Sequence, residues 1–135
     1  MNKLFKAGSI LLSQDHTKAC LVHREKLNDI SFPKGHIEGN ESYLDCAIRE
    51  TEEETGYSCK PLLTDPLGII TYTNYEGEVI VFMYLLESCG LTTKDIPDCD
   101  REEPIWLDLQ DVENKLSYSN LKTFWNDNKN KIEVL

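Results

Sequence analysis

Two absences bound what this chain can bind. No run of lysine or arginine occurs, and no apolar stretch approaches the ~20 residues that a bilayer-spanning helix requires. Asp and Glu number 24 against 14 Lys and Arg, a formal charge of −10. Proteins that hold long nucleic acids present a basic face, because phosphate neutralisation supplies most of the affinity. Long nucleic acids and anionic membranes are therefore not expected as partners. A phosphate-bearing small molecule remains compatible with the acidic balance if a divalent cation bridges the two.

Other motifs are missing as well. There is no CxxC pair, and Cys20, Cys46, Cys59, Cys89 and Cys99 are odd in number. His16, His23 and His36 are not spaced with them as zinc ligands. Reduced thiols of a cytosolic protein are the reading that fits. Residues Ser9 to Leu12 are too short for a signal h-region, and no small-residue cleavage site follows. A cytoplasmic location is expected. Repeats, low-complexity tracts and linkers are also lacking.

What is present reads as one globular domain over residues 1–135, with 40% hydrophobic and 28% charged residues. A chain of this size buries roughly two-thirds of its unfolded surface and needs no disulfide or structural metal to fold. Leu4 to Leu12 and Ala19 to His23 read as a strand pair around the turn at Asp15-His16-Thr17. Phe32 to Gly35 is extended, since Pro33 disfavours helix before it. Glu41 to Thr55 is the strongest helix, with Leu44, Ala47, Ile48, Thr51 and Thr55 on one face and Gly56 to stop it.

Strands are predicted at Leu67 to Thr73 and Val79 to Glu87, joined by a loop over residues 74–78. A long polar loop over Ser88 to Glu103 leads to a short strand at Pro104 to Leu107. Asp108 and Ser119 are expected to cap two final helices. Strands, helix, strands, helices in that order give an α/β (α+β) fold: a mixed β-sheet sandwiched between helices.

The chemistry concentrates in the predicted helix. At ~100° per residue Glu50 and Glu54 share a face, Glu53 sits beside them, and Glu52 points away toward solvent. Three neighbouring carboxylates repel one another. A hard divalent cation would remove that cost, and oxygen ligands suit magnesium or manganese better than zinc or copper. Arg49 supplies an internal counter-charge that can fork onto Glu41 or Glu50. Gly35 ends an extended segment, so its carbonyl can approach a metal closely. Glu-rich helices also occur as plain solvated faces, and the residues around this one decide against that reading.

From Gly35 to Tyr57 the sequence resembles the Nudix box: a glycine, five residues, a glutamate, seven residues, then Arg-Glu-aliphatic-any-Glu-Glu-any-Gly-aliphatic. Gly35, Glu41, Arg49, Glu50, Glu53, Glu54 and Gly56 occupy all seven fixed positions. Thr51 and Tyr57 stand where aliphatics are usual. Neither is a ligand position. The resemblance implies a sheet–helix sandwich in which Glu50, Glu53, Glu54 and the Gly35 carbonyl hold magnesium, with manganese an alternative. It implies catalytic roles for Arg49, Glu50 and Glu53, and attack by water on phosphorus. The base that takes the water's proton would be Glu53 or one of Asp100, Glu102 and Glu103.

Phe32-Pro33-Lys34-Gly35-His36 is similar to the entry to the box in asymmetrical dinucleoside tetraphosphate hydrolases, as are Arg49-Glu50-Thr51 and Trp106-Leu107. That resemblance implies a small-molecule nucleotide substrate, cut to ATP and AMP, with phosphate contacts from Lys34 and His36. Adenine needs a flat apolar partner. Tyr75 is the expected stacking residue, ahead of Tyr72 and Tyr43. Alternatives are a nucleoside triphosphate pyrophosphatase, activity on diphosphoinositol polyphosphates or RNA caps, and a non-catalytic nucleotide-sensing domain. The inositol and cap readings want a basic pocket or track. A sensing domain usually loses ligand glutamates, and all are kept here.

Overall fold

In a computed structural model that describes residues 2–135, the apolar N-terminal run becomes strand β1 (Lys3–Leu12) at the centre of one mixed sheet. Strand β7 (Gly77–Leu91) runs parallel to it in unbroken register from Lys3↔Glu78 to Leu12↔Glu87. Two further strands share the other edge of β1. Strand β2 (Lys18–Arg24) pairs only with its end, at Leu11↔Cys20 and Leu12↔Ala19. Strand β4 (Lys34–His36) pairs with its first half, at Lys6↔His36 to Gly8↔Lys34. Gly8 is required at that fork, because a Cβ there would collide with the Pro33 carbonyl and Lys34. The box therefore begins where the sheet splits.

The remaining strands pair antiparallel. Strand β3 (Asp29–Ser31) and strand β8 (Glu103–Asp108) flank β2, while β5 (Tyr57–Pro61) and β6 (Gly68–Asn74) pair with β7. Helix α1 (Tyr43–Thr55) covers one face, over a cluster that includes Ala7, Leu11, Cys46, Ala47 and Leu86. Short helix α2 (Val112–Lys115) and helix α3 (Ser119–Glu133) cover the other. There Leu121, Phe124, Trp125 and Ile132 meet Ile10, Phe32, Val81 and Met83. Each large apolar side chain so buried contributes roughly 1.5–3 kcal/mol. The mixed sheet between helices is the architecture expected from the sequence. No helix among the described residues is long and apolar enough to cross a membrane.

Several local expectations are corrected. Helix α1 starts at Tyr43 rather than Glu41, because the Ser42 side chain accepts from the Asp45 N–H and acts as its cap. Gly56 ends it in the left-handed conformation, φ 79°. The loop between β6 and β7 shrinks to Tyr75-Glu76, since Asn74 pairs with Gly77. Strand β7 continues to Leu91 through the polar Ser88-Cys89-Gly90 because β5 pairs with it there. The three residues of β3 and the half-exposed β5 are too short and polar to stand out in the sequence. Neither proposed cap operates. Asp108 is engaged by Lys18 at 2.6 Å, and Tyr118 precedes α3 without a side-chain cap.

Candidate active site

The acidic face of α1 is organised by one cation. Arg49 forks onto Glu41, Nε to Oε2 at 3.0 Å and Nη2 to Oε1 at 2.7 Å. Its Nη1 donates to Glu50 Oε1 at 2.8 Å and to Glu53 Oε2 at 3.1 Å, and Nη2 reaches the His36 carbonyl at 3.0 Å. A planar guanidinium with five fixed donors can serve this many acceptors where a lysine cannot. The Glu41 carboxyl is held down at about 2, first by those Arg49 bonds. The same pairing raises Arg49 above its ordinary value.

Glu54 lies one turn beyond Glu50 and is in a different state. Burial pushes its carboxyl well above the usual range, and the Glu50 charge adds to that against the pull of Lys34. Glu53 is also raised, by burial and then by Glu50. Burial in turn drives the Lys34 ammonium down to about 8, with the Arg24 charge reinforcing it. A Cβ on Gly35 would overlap the Glu50 carboxylate, so any side chain there would push Glu50 out of its present place.

The loop after β7 closes the site over the end of α1. The Glu102 N–H donates to the Glu54 carbonyl and the Thr92 N–H to the Gly56 carbonyl, both at 2.9 Å. Glu52 is drawn into this contact rather than pointing to solvent. It accepts from the Thr92 hydroxyl at 2.7 Å and the Lys94 ammonium at 3.1 Å, and only 13% of its side chain is exposed. The result is a recess of about 330 Å³ lined by Glu38, Glu50, Glu53 and Glu54 on one side, Cys99, Asp100 and Glu102 on another, and Arg24, Ser31 and Lys34 on the third.

A second recess of about 620 Å³ adjoins it, sharing Arg24 and Lys34 and adding Lys6, Tyr72, Asn74, Tyr118 and Asn120. A third cavity, about 810 Å³, lies between the β1–β2 turn and the end of α3. It contains no box residue.

The sequence-predicted residues thus separate. Gly35, Lys34, Arg49, Glu50, Glu53 and Glu54 come together. Asp100 and Glu102 join them, whereas Glu103 faces His23 at 3.6 Å instead. His36 has an exposed side chain and gives its carbonyl to Arg49. Tyr75 sits at the β6–β7 tip, 96% exposed, and lines neither recess, while Tyr72 lines the second. Sequence reasoning missed Arg24, Asp29, Lys6 and Tyr118. One available signal was the Arg24 and Asp29 pair flanking a short turn, which the register places directly opposite each other.

Comparison with known proteins is decisive for the family. The model of the NUDIX domain matches residues 3–130. The chain belongs to the NUDIX domain family. It is 45% identical over 88 residues to the mRNA decapping complex subunit 2 of Schizosaccharomyces pombe, covering 64% of this chain and 12% of that protein. It is 29% identical over 101 residues to the 8-oxo-(d)GTP phosphatase of Mycolicibacterium smegmatis, covering 75% of this chain and 30% of that protein. The chain therefore spans less than a third of the length of these curated relatives. A solved Ap4A hydrolase from C. elegans superposes with a TM-score of 0.77 at 16% identity, over 98% of this chain and 99% of that one. That likeness concerns the fold.

Nudix hydrolases generally use divalent metal ions, and the donor set here fits one. It consists of hard oxygens only, on adjacent turns of one helix, beside a glycine carbonyl whose approach no Cβ obstructs. As the side chains stand, no three His, Cys, Asp or Glu among the described residues form a preassembled ligand group. Arg49 draws Glu50 and Glu53 toward itself instead.

Proposed function

We propose that this chain is a magnesium-dependent hydrolase that cuts a diphosphate linkage in a nucleoside polyphosphate, with a dinucleoside tetraphosphate as the first-choice substrate. The observation that carries the reading is the junction of two recesses that share Arg24 and Lys34, one walled by carboxylates and the other lined by none. One is walled by Glu50, Glu53, Glu54, Asp100 and Glu102; the other carries Lys6, Arg24 and Lys34 beside Tyr72. A polyphosphate needs both, because its anionic chain must be neutralised while water is activated.

Glu50, Glu53, Glu54 and the Gly35 carbonyl would hold the ion. Magnesium or manganese would supply charge neutralisation and a more acidic bound water. Arg49 keeps Glu41, Glu50 and Glu53 in place. Glu53, Asp100 and Glu102 are the carboxylates available to take the water's proton. Lys34 binds a bridging phosphate. The substrate preference rests on the Pro33-Lys34-Gly35-His36 entry to the box.

A second reading, a nucleoside triphosphate pyrophosphatase, is favoured by one specific observation. Tyr75, the aromatic expected to stack on a base, lines neither recess. The relative named as an 8-oxo-(d)GTP phosphatase points the same way. A panel of diadenosine tetraphosphate, nucleoside triphosphates, a nucleotide sugar, a diphosphoinositol phosphate and a capped RNA, each with magnesium, decides between them. ATP plus AMP from the first is the expected result. Pyrophosphate plus a monophosphate from the triphosphates alone would give the second reading its place. No release of phosphate-containing products from any of them would overturn both.

A further inference from the structure

Arg24 ends β2 directly opposite Asp29 on β3. Its Nε donates to Asp29 Oδ1 at 2.7 Å and its Nη2 to Oδ2 at 2.6 Å, a two-pronged grip on a carboxylate whose side chain is only 5% exposed. The Tyr118 hydroxyl donates to the same Oδ2 from the segment that opens α3. That segment is itself stitched to β3: the Ser117 N–H donates to the Ile30 carbonyl at 3.0 Å, and the Ile30 N–H to Ser117 Oγ at 2.8 Å. Asp29 is thus clamped by a neighbour five residues before it and by a residue 89 positions after it. Among the described residues no acceptor engages Arg24 Nη1, and Arg24 lines both recesses.

We propose that Asp29 and Tyr118 are positioning residues that hold the Arg24 guanidinium at the junction of the two recesses, where it binds a phosphate of the nucleotide chain next to the linkage that is cut. This rests on the reading of the protein as a nucleoside polyphosphate hydrolase. The physical case has two parts. A guanidinium fixed by a fork has already lost most of its rotamer freedom, so binding phosphate costs less ordering. Arg24 and Lys34 are like charges that both line the two recesses, and an anion between them relieves their mutual repulsion.

The test compares wild type with Arg24→Ala, Arg24→Lys and Tyr118→Phe. Two readouts are used: KM and kcat on the substrate that the panel identifies, and calorimetric affinity for a methylene-bridged ATP analogue with magnesium. Arg24→Ala should weaken the analogue about 30-fold and Arg24→Lys about tenfold, because an ammonium cannot be aimed by the fork. Tyr118→Phe removes one hydroxyl. It should raise KM and the analogue's Kd about threefold to fivefold, with kcat within about twofold of wild type. Thermal melts confirm that each variant is folded.

If Tyr118→Phe lowers the melting temperature while affinity and KM stay at wild-type values, the residue is merely structural and the proposal fails. Unchanged affinity in Arg24→Ala also overturns it. If these affinity losses appear but wild type cleaves nothing in the panel, the hydrolase reading fails and the phosphate site stands. If wild type cleaves a substrate and the variants match it, the reverse holds.

Discussion

The two recesses were built by different kinds of sequence information. On the α1 side of the acidic recess Glu50, Glu53 and Glu54 lie on one helix, where periodicity fixes their relation, and Glu38 comes from the short loop just before it. The cationic recess draws Lys6 from β1, Arg24 from β2, Tyr72 from β6 and Tyr118 from the start of α3. Nothing local relates those positions. What brings them together is strand register and the packing of α3, with contacts such as Tyr118 to Asp29 spanning 89 residues. The acidic recess should therefore respond to mutation mainly through chemistry, and the cationic one through affinity and assembly.

The largest effect tests the acidic side. Glu54→Gln keeps the shape of a buried carboxyl and removes its charge. Turnover at saturating magnesium should fall by about a thousandfold or more, because loss of a metal-holding charge forfeits several kcal/mol of transition-state stabilisation. Stability should hold or rise, since a buried group under Glu50 repulsion is neutralised. Steady-state kinetics and a urea titration read both. Activity near wild type would remove Glu54 as a principal ligand and make the two recesses alike in tolerance.

How far the sequence could be read follows the same division. Helix α1, its Gly56 stop, the apolar strands and the grouping of Glu50, Glu53 and Glu54 on one helix face were legible because each depends on neighbours within a few turns. Glu52 was misplaced because periodicity shows which way a side chain leaves its helix but not that Thr92 and Lys94 come to meet it. Asp108 was misassigned for the same reason: its partner Lys18 is 90 residues away. Tyr75 stood out as an aromatic in a loop, yet a two-residue hairpin tip points it away from both recesses.

An intermediate effect compares Tyr72 with Tyr75. If the base rests in the cationic recess, Tyr72→Ala should raise KM about tenfold, the value of one lost aromatic contact. Tyr75→Ala should stay within about twofold, in contrast to the expectation from sequence. Diadenosine tetraphosphate and a nucleoside triphosphate are both assayed. A KM rise confined to Tyr75→Ala with the dinucleotide would show that the second nucleoside lies along the hairpin, outside the recess.

The smallest effect concerns the clamp that assembles the cationic side. Burial alone would push the Asp29 carboxyl up, but the bonds from Arg24 and then Tyr118 overcome it, and the net position is below the ordinary value of 3.8. The charges facing it are Arg24 on β2 and Lys34 on β4, with the neutral Tyr118 hydroxyl before α3. A carboxyl depressed in the folded state binds its proton more readily when unfolded. Its contribution is therefore fully present above pH 3.8 and is lost as pH falls through the lower folded value. At pH 7, Asp29→Asn should cost about 1–3 kcal/mol, a few degrees in melting temperature. Below pH 3.8 the gap between wild type and Asp29→Asn should narrow, and it should close once the pH passes the lower folded value, where Asp29 is uncharged in the folded state as well. Thermal melts from pH 7 to pH 2 measure that gap. Parallel curves across the whole range would mean that Asp29 titrates alike in both states, and that α3 is held to β3 by the Ser117–Ile30 backbone pair without help from the ion pair.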